Sequence, residues 1–394
     1  MVQSADVVVI GGGVNGVSTA FHLAKRGAKV ALLERTVLAG GATGKSGAVV
    51  RMHYTNPHDS ALAQQSLPYF QDWAGMVGPG DPGFVRTGVL RIVPPRFTDR
   101  LKANVEMLRG VGVNTTLVTA DDVKAMDPGA FTGDFEVAAW EPESGYADAT
   151  GTVHGFAQAA RDLGASIHEG VEATAIATAG ERVTGVETRL GTIATEQVVM
   201  VTGAHSNALL GPLGLDYGLR TNRCQVVILR RTLEDSATHP LYIDGPNNTW
   251  IRPVGERESL VGIARDQLDV DPDLYAEGVE QEYLVDSRRR GARRRPALAG
   301  SFMHGGWAGV FTMSPDGHAI IGPLEPYRGL YGILGDCGTN FKTAPAIGSN
   351  MAAWLLDGAP DTVDLRPFRA TRFAEGELFA GEHEYGDSLL DVFR

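Results

Sequence analysis

Gly11, Gly13 and Gly16 stand in a G-x-G-x-x-G spacing, the pattern with which a chain takes hold of a pyrophosphate. The first glycine permits a tight turn, the second lets phosphate touch the backbone, and the third lets a helix pack closely on a strand. The N-terminal N–H groups of that helix favour negative charge, with Val14 a further candidate contact in the loop before it. Glu34 lies 23 residues after Gly11 and is followed by Arg35. Its carboxylate suits ribose hydroxyls and disfavours a 2′-phosphate. A second run of small residues, Gly40-Gly-Ala-Thr-Gly-Lys-Ser-Gly-Ala-Val-Val-Arg51, carries Ala42, Thr43, Ser46 and Gly47. It is too polar and too rich in glycine for a core helix, and it suits a second backbone cradle for phosphate and polyol oxygens.

Cations supply the other chemistry. There are six lysines, Lys25, Lys29, Lys45, Lys102, Lys124 and Lys342. The first five fall on expected helices or loops. Lys342 lies in a glycine-rich loop, a poor place for an idle charge. Arg51 closes the second small-residue run, and Arg252 sits in Trp-Ile-Arg-Pro. Two converging cations suit a carboxylate, which arginine can bind through two parallel hydrogen bonds. Plainer roles compete: Arg51 with an acid or a pyrophosphate, Lys342 as a solvent-facing helix start, Arg252 in a structural salt bridge. His53, Tyr54, Trp307 and Phe311 are candidates to line a pocket or simply to pack.

These residues need elements to hold them. Asp6–Ile10 reads as a buried strand, Val17–Arg26 as a helix ended by Gly27, and Ala28–Leu33 as a second strand. A helix over 151–164 leads to a strand ending at Val171. Strands over 175–201 then lead to Thr202 and Gly203. A helix beginning near Asn340–Lys342, with Ile347, Met351, Trp354 and Leu355 inward, would direct N–H groups at developing negative charge. A strand over 87–93, a helix over 99–109 and strands at 223–229, 241–244, 249–253 and 259–263 carry no phosphate motif. They read as a separate, mostly antiparallel sheet. Asp286–Arg295 holds six arginines in eight residues, read as a solvated helix end stopped by Pro296.

Composition limits the classes. At roughly 100–200 residues per domain, 394 residues suggest two or three domains. A net charge of −12 argues against a nucleic-acid partner. No apolar run approaches the ~18 residues of a membrane span. Two cysteines, Cys224 and Cys337, do not make a disulfide framework, and with no basic-then-apolar leader in view a cytoplasmic location is expected.

Taken in order, these blocks resemble the D-amino-acid oxidase superfamily, in particular its sarcosine oxidase and glycine oxidase branch. The 40–51 run resembles that family's second FAD-contacting loop. Glu143-Ser-Gly-Tyr-Ala-Asp148 with the following helix and Ala165–Val171 resembles its "G-x-x-D, helix, G-A-x-I, strand" passage. Val198–Ser206 resembles its "A-x-G-A-W-S" stretch, with His205 at the tryptophan position. Trp307–Pro323 resembles the stretch ending T-P-D-x-x-P-I-I-G. Tyr331–Gly348, with Gly338, Thr339, Asn340 and Lys342, resembles the loop and helix over the flavin. The resemblance spans residues 6–348.

It implies an α/β (α+β overall) fold: a Rossmann-like FAD-binding domain over 1–86, 145–220 and 305–394, intertwined with an antiparallel substrate domain over 87–144 and 221–304. It implies FAD held through both glycine loops, Val171, Thr202, Gly203 and the 338–342 loop. It implies that Arg51 and Lys342 hold a substrate carboxylate, with Arg252 and Tyr54 nearby. The expected reaction is oxidation of the C–N bond of a small or N-substituted amino acid, with O2 reduced to H2O2. Two departures matter. The cysteine that anchors FAD in monomeric sarcosine oxidases has no counterpart in Trp307–Phe311, so the FAD is expected to be non-covalent, with Cys337 a distant second anchor. The lysine that assists oxygen reduction has no counterpart in Ser259–Ile263, which leaves open a dehydrogenase or a β-subunit-like flavoprotein serving another acceptor. A nicotinamide-dependent dehydrogenase is the remaining alternative.

Overall fold

Alternation along one buried strand organises the first half of the molecule. In the computed structural model, which describes residues 2–235, 238–265 and 267–386, Val7–Ile10 is a fully buried strand. Val7 and Val9 face one apolar cluster, and Val8 and Ile10 face another. Such a strand must be covered on both faces. It lies inside a six-stranded sheet with the order 320–323, 330–334, 198–200, 7–10, 30–34, 166–169. All pairings are parallel except that of 320–323 with 330–334. One face is covered by the helices Val14–Lys25, Ala149–Asp162 and Ala344–Asp357. The other carries a three-stranded antiparallel meander over residues 173–194.

The glycine-loop helix and the Ala344–Asp357 helix approach closely at one point. A Cβ on Gly348 would lie 2.4 Å from Ser18 Oγ. Ser18 Oγ itself donates to the Ala344 carbonyl at 2.8 Å. This contact ties the start of the later helix to the helix that begins at Val14.

The second sheet has nine strands, drawn from 89–141 and 220–313. Only the pairing of Leu241–Asp244 with Val89–Ile92 is parallel. The expected boundary at 304/305 falls inside the Phe302–Met313 strand, which pairs along its length with Arg220–Arg230. Between the sheets, Val49–Val50 pairs with Gly145–Tyr146, which places Arg51 at their junction.

Two sequence expectations are corrected. The helix expected near Asn340–Lys342 begins at Ala344. Pro345 has no N–H, and the Ala346 N–H already bonds to Ser66 Oγ at 3.0 Å, so this turn offers few donors for developing charge. The arginine run is not a solvated helix end. The helix Gln281–Arg294 does stop before Pro296, but Arg294 and Arg295 are buried. Arg294 bridges Asp244 and Asp134, each at 2.9 Å, and Arg295 bridges Asp127 and Asp235. Arg289 and Arg293 face water, Arg288 and Arg290 are half-buried, and Arg289 pairs with Asp286 at the surface.

Removing one member of a buried ion pair leaves the other uncompensated, at about 3–5 kcal/mol, whereas an exposed pair contributes at most about 1 kcal/mol. Arg294→Ala is therefore expected to lower unfolding free energy by several kcal/mol, and Arg289→Ala by less than about 1. Denaturant titration of the two variants checks the difference, and equal effects would refute the assignment.

Acid should also weaken this region. His239 is buried, with Nδ1 donating to the Pro240 carbonyl at 2.8 Å and Nε2 accepting from Ser259 Oγ at 2.9 Å. Burial and the nearby Arg295 push it from 6.5 down to about 3. The unfolded chain takes up this proton below 6.5, but the folded chain does so only near 3. Stability from this group is thus present above 6.5 and lost as pH falls, by up to about 1.4 kcal/mol per pH unit. His239→Gln should flatten the stability–pH slope between pH 6.5 and 4 relative to wild type, as read by thermal unfolding.

Candidate cofactor and substrate site

The turn after the first strand requires its glycines. Gly11 has φ +117°, and a Cβ there would lie 2.2 Å from the Val201 carbonyl oxygen. A Cβ on Gly16 would lie 1.9 Å from the Gly11 carbonyl oxygen, so the third glycine lets the helix fold back on its own turn. A Cβ on Gly13 would point into the space beside Thr43 Oγ1, 3.1 Å away. The helix opens at Val14 with no side-chain cap and no acid in its first turn, so its N-terminal charge is left for a ligand. Val14 N–H donates to Thr43 Oγ1 at 3.2 Å, which joins the first glycine loop to the second. Asn15 Oδ1 is buried there without a partner.

Glu34 ends the second strand. Its carboxylate accepts from the Gly12 N–H and the Thr36 N–H, both at 2.8 Å, which fixes its aim beside the loop. Val171 N–H donates to the Glu34 carbonyl at 2.9 Å and so lies alongside. Arg35 pairs with Asp273, which also meets His205 Nε2 at 3.2 Å. Thr202 Oγ1 contacts Ser206 Oγ at 2.9 Å, and Gly203 turns with φ +50°. In the second loop, Ala42 precedes a short turn at Thr43–Lys45, Ser46 Oγ accepts from Ala48 N–H at 2.9 Å, and a Cβ on Gly47 would meet the Trp250 ring at 2.5 Å. Trp307 Nε1 donates to the Lys45 carbonyl at 2.7 Å, which pins this loop to the nine-stranded sheet. Phe311 packs on Gly338.

At the far end, three of the candidate residues meet. The Tyr54 ring is flanked by the Arg51 guanidinium, 4.6 Å from its centroid, and by Lys342 Nζ, 5.0 Å from it. Lys342 Nζ donates to the Thr339 carbonyl at 2.8 Å, and the Tyr54 hydroxyl donates to the same oxygen at 3.3 Å. Lys342 is 6% exposed and Arg51 5%, so neither is a solvent-facing charge. Arg51 also bonds to the His53 carbonyl. Asn340 is buried, with Nδ2 unpartnered. Arg252 stacks 4.2 Å over Tyr146, the residue paired with Val49 just before Arg51. Its Nε has no hydrogen-bond partner, and burial pulls its pKa down to about 10.

Electrostatics sets the character of this pocket. Burial, then Arg51, holds Lys342 well below the usual lysine range, against the pull of Asp59, Glu141 and Asp336. Burial raises Glu141, although it accepts from Met52 N–H at 2.9 Å and Ser144 Oγ at 2.6 Å. Burial also raises Asp336 to about 6. Against burial, Asp59 is shifted the other way, held low by His318 and Asn56. Only Glu141 and Asp336 are thus pushed toward neutrality beside the crowded basic groups, which leaves room for an incoming anion. Sequence reasoning missed Glu141, Asp336, Arg91 and Tyr146. Asp336 stood inside the Tyr331–Gly348 stretch and Tyr146 inside Glu143–Asp148; Glu141 and Arg91 gave no local signal, because strand pairing alone brings them here.

The FAD dependent oxidoreductase family model (DAO) matches residues 6–354. The chain belongs to this family. It is 25% identical to a sarcosine oxidase subunit beta of Arthrobacter sp over 385 residues, 95% of this chain and 93% of that one. It is 25% identical to a glycine oxidase of Geobacillus kaustophilus, over 94% of this chain and 98% of that one. Among solved structures, L-proline dehydrogenase from P. horikoshii superposes with a TM-score of 0.89 at 26% identity, covering 96% of this chain and all of that one.

This flavoenzyme presents groups that fit FAD: an uncapped helix start, a space a side chain at Gly13 would fill, an oriented Glu34, and unpartnered amides at Asn15 and Asn340. Among the described residues, no helix is long and apolar enough to cross a membrane. Cys337 makes a poor covalent anchor. Burial raises its thiol to about 12, and it donates to the Gly335 carbonyl at 3.2 Å while accepting from Ser314 N–H at 3.4 Å. Thiolate is the reactive form and is scarce at neutral pH here. Acid precipitation of the yellow protein is expected to release its flavin to the supernatant. Colour remaining with the pellet would show a covalent link.

Proposed function

We propose that this enzyme oxidises the C–N bond of a small or N-substituted amino acid, with sarcosine- or glycine-type secondary amines preferred. The resulting imine hydrolyses to an oxo product and an amine. One observation carries the reading: Arg51 and Lys342 both converge on a single buried tyrosine, where burial and Arg51 hold the lysine well below its usual range. A substrate carboxylate supplies that charge and draws a proton onto Lys342. Arg51 adds a planar donor pair, and the Thr339 carbonyl holds the ammonium in place. Tyr54 presents its ring to both groups and stays protonated, since burial raises its hydroxyl. When bound, FAD supplies the redox chemistry by accepting the substrate's two electrons. Of the helix-start donors expected to stabilise negative charge near it, Pro345 has none to give and the Ala346 N–H is engaged with Ser66, so Lys342 and its loop carry more of that work.

O2 is the proposed acceptor, giving H2O2. A second reading, in which another acceptor or a partner subunit takes the electrons, is favoured by the Glu258–Ile263 strand, which carries no lysine. Peroxide yield against dye reduction by the purified single chain separates the two.

A hydrogen bond to a charged group contributes about 1.5–3 kcal/mol, equal to roughly 10–150-fold in rate. Lys342→Met is expected to lower kcat/KM for N-substituted glycines at least about tenfold while FAD content stays near normal. Wild-type efficiency in that variant, or simple loss of FAD, would overturn the clamp and bring Arg252 forward as the carboxylate partner.

A further inference from the structure

The chain after the Ala344–Asp357 helix returns across the molecule to the far side of the pocket. Phe379 packs on Phe368 with ring centroids 5.1 Å apart and on His318 at 4.3 Å, and its N–H donates to Asp316 Oδ2 at 3.0 Å. Gly381 then lies against Thr55, where a Cβ would come within 2.2 Å of Thr55 Oγ1. Glu382 N–H donates to the Thr55 carbonyl at 2.9 Å. Asn104 Nδ2 and Arg100 Nη1 take the next two carbonyls, of His383 at 2.9 Å and Glu384 at 2.5 Å. So held, the chain inserts Tyr385. Its hydroxyl bonds to His53 Nε2 at 2.7 Å, its ring stacks on the imidazole at 5.9 Å, and the Arg91 guanidinium lies 4.6 Å from its centroid.

A tail that merely covered apolar surface would use aliphatic side chains. Here an amphipathic ring enters a cluster of charged and polar groups. His53 is 1% exposed and neutral, because burial, Arg91 and Arg51 all oppose its protonation. Arg51 bonds to the carbonyl of the same His53 whose imidazole holds the Tyr385 hydroxyl, so tyrosine and carboxylate clamp meet at one residue. With the phenol donating to Nε2, the imidazole proton falls on Nδ1, which is buried without a partner.

We infer that the returning C-terminal segment closes the substrate chamber opposite the carboxylate clamp, and that Tyr385, braced by His53, limits the size of the substrate. The inference rests on the proposed carboxylate reading. The chamber admits a short amino acid and stops a longer or bulkier substituent at the Tyr385 ring. Removing the ring, or lifting the segment off Thr55, opens the chamber.

Acetate and phenylacetate serve as carboxylate probes, titrated into the FAD-loaded protein and read by perturbation of flavin absorbance. A matched hydrophobic pocket discriminates by about tenfold or more per added group. In Tyr385→Ala the ratio of phenylacetate to acetate affinity is expected to rise at least about tenfold. Gly381→Ala, which leaves the ring but displaces the segment, should move the ratio the same way and serves if Tyr385→Ala folds poorly. Tyr385→Phe keeps the wall, so its ratio should stay near wild type. A purely structural tail would weaken both probes together, and a smaller rise in both Tyr385→Ala and Gly381→Ala overturns the inference. If acetate perturbs the flavin but the ratio is fixed, only this inference fails. If neither probe perturbs it in any form, the carboxylate reading fails and this inference with it.

Discussion

The pocket depends on holding a guanidinium and a lysine amine out of water against one aromatic ring. Each is expensive to bury alone. The ring face of Tyr54 partly offsets that cost for both, and the Thr339 carbonyl takes one proton of Lys342. Glu141 and Asp336 supply negative charge at short range, and burial weakens them as acids in turn. The cluster is therefore balanced short of full compensation. Such a balance persists only if the surrounding structure over-determines it, which places demands on the rest of the fold.

Those demands are met by three independent chain segments. Arg51 and Tyr54 follow a two-residue strand fixed by pairing to Gly145–Tyr146. Lys342 precedes a helix fixed at Gly348 against Ser18, the fourth residue after Val14 in the glycine-loop helix. A substitution at Gly348 would thus be felt both at Lys342 and at the dinucleotide loop, because one helix contact positions both. Glu141 ends a strand of the nine-stranded sheet and accepts from Met52 N–H, which binds the two sheets at the pocket itself. The buried Arg294 and Arg295 act at a distance from all this. They hold the loops at Asp127, Asp134 and Asp235 onto that sheet, and so stiffen the wall that carries Glu141.

What was legible in the sequence was what is local. Gly16 is required by the Gly11 carbonyl five residues back, and the triplet lies between its own strand and helix. Its spacing therefore carried the turn, the helix and the ligand class together, although Gly11 and Gly13 meet Val201 and Thr43 from farther along the chain. The short strands at 7–10 and 249–254 were legible from apolar runs. The arginine run misled because the acids that bury it lie 50 or more residues away, at Asp127, Asp134, Asp235 and Asp244, and a charged run with unseen partners looks like a solvated one. The helix start near residue 342 slipped because Pro345, suited to a first helical turn, fixes the start two residues later than the apolar spacing alone. Glu141, Arg91 and Tyr385 had no local signature, since strand register and the returning tail bring them to the pocket.

The acidic stretch 269–280 shows how the two sheets are tied together beside the glycine loops. Asp273 meets Arg35 and His205, and Glu277 meets Lys45 at 2.7 Å. Arg220 pairs with Asp269 and Arg223 with Glu280 at 2.7 Å at its two ends, within the nine-stranded sheet. Most of these pairs are exposed, so each contributes little by itself and is screened by salt. Their value lies in placement. They fasten the Arg35 and Lys45 turns, one beside Glu34 and one beside Thr43, to a segment from the other sheet. The buried cations fix the chemistry at one end of the site. At the other end, weak ion pairs in series let the dinucleotide loops seat without a large core of their own.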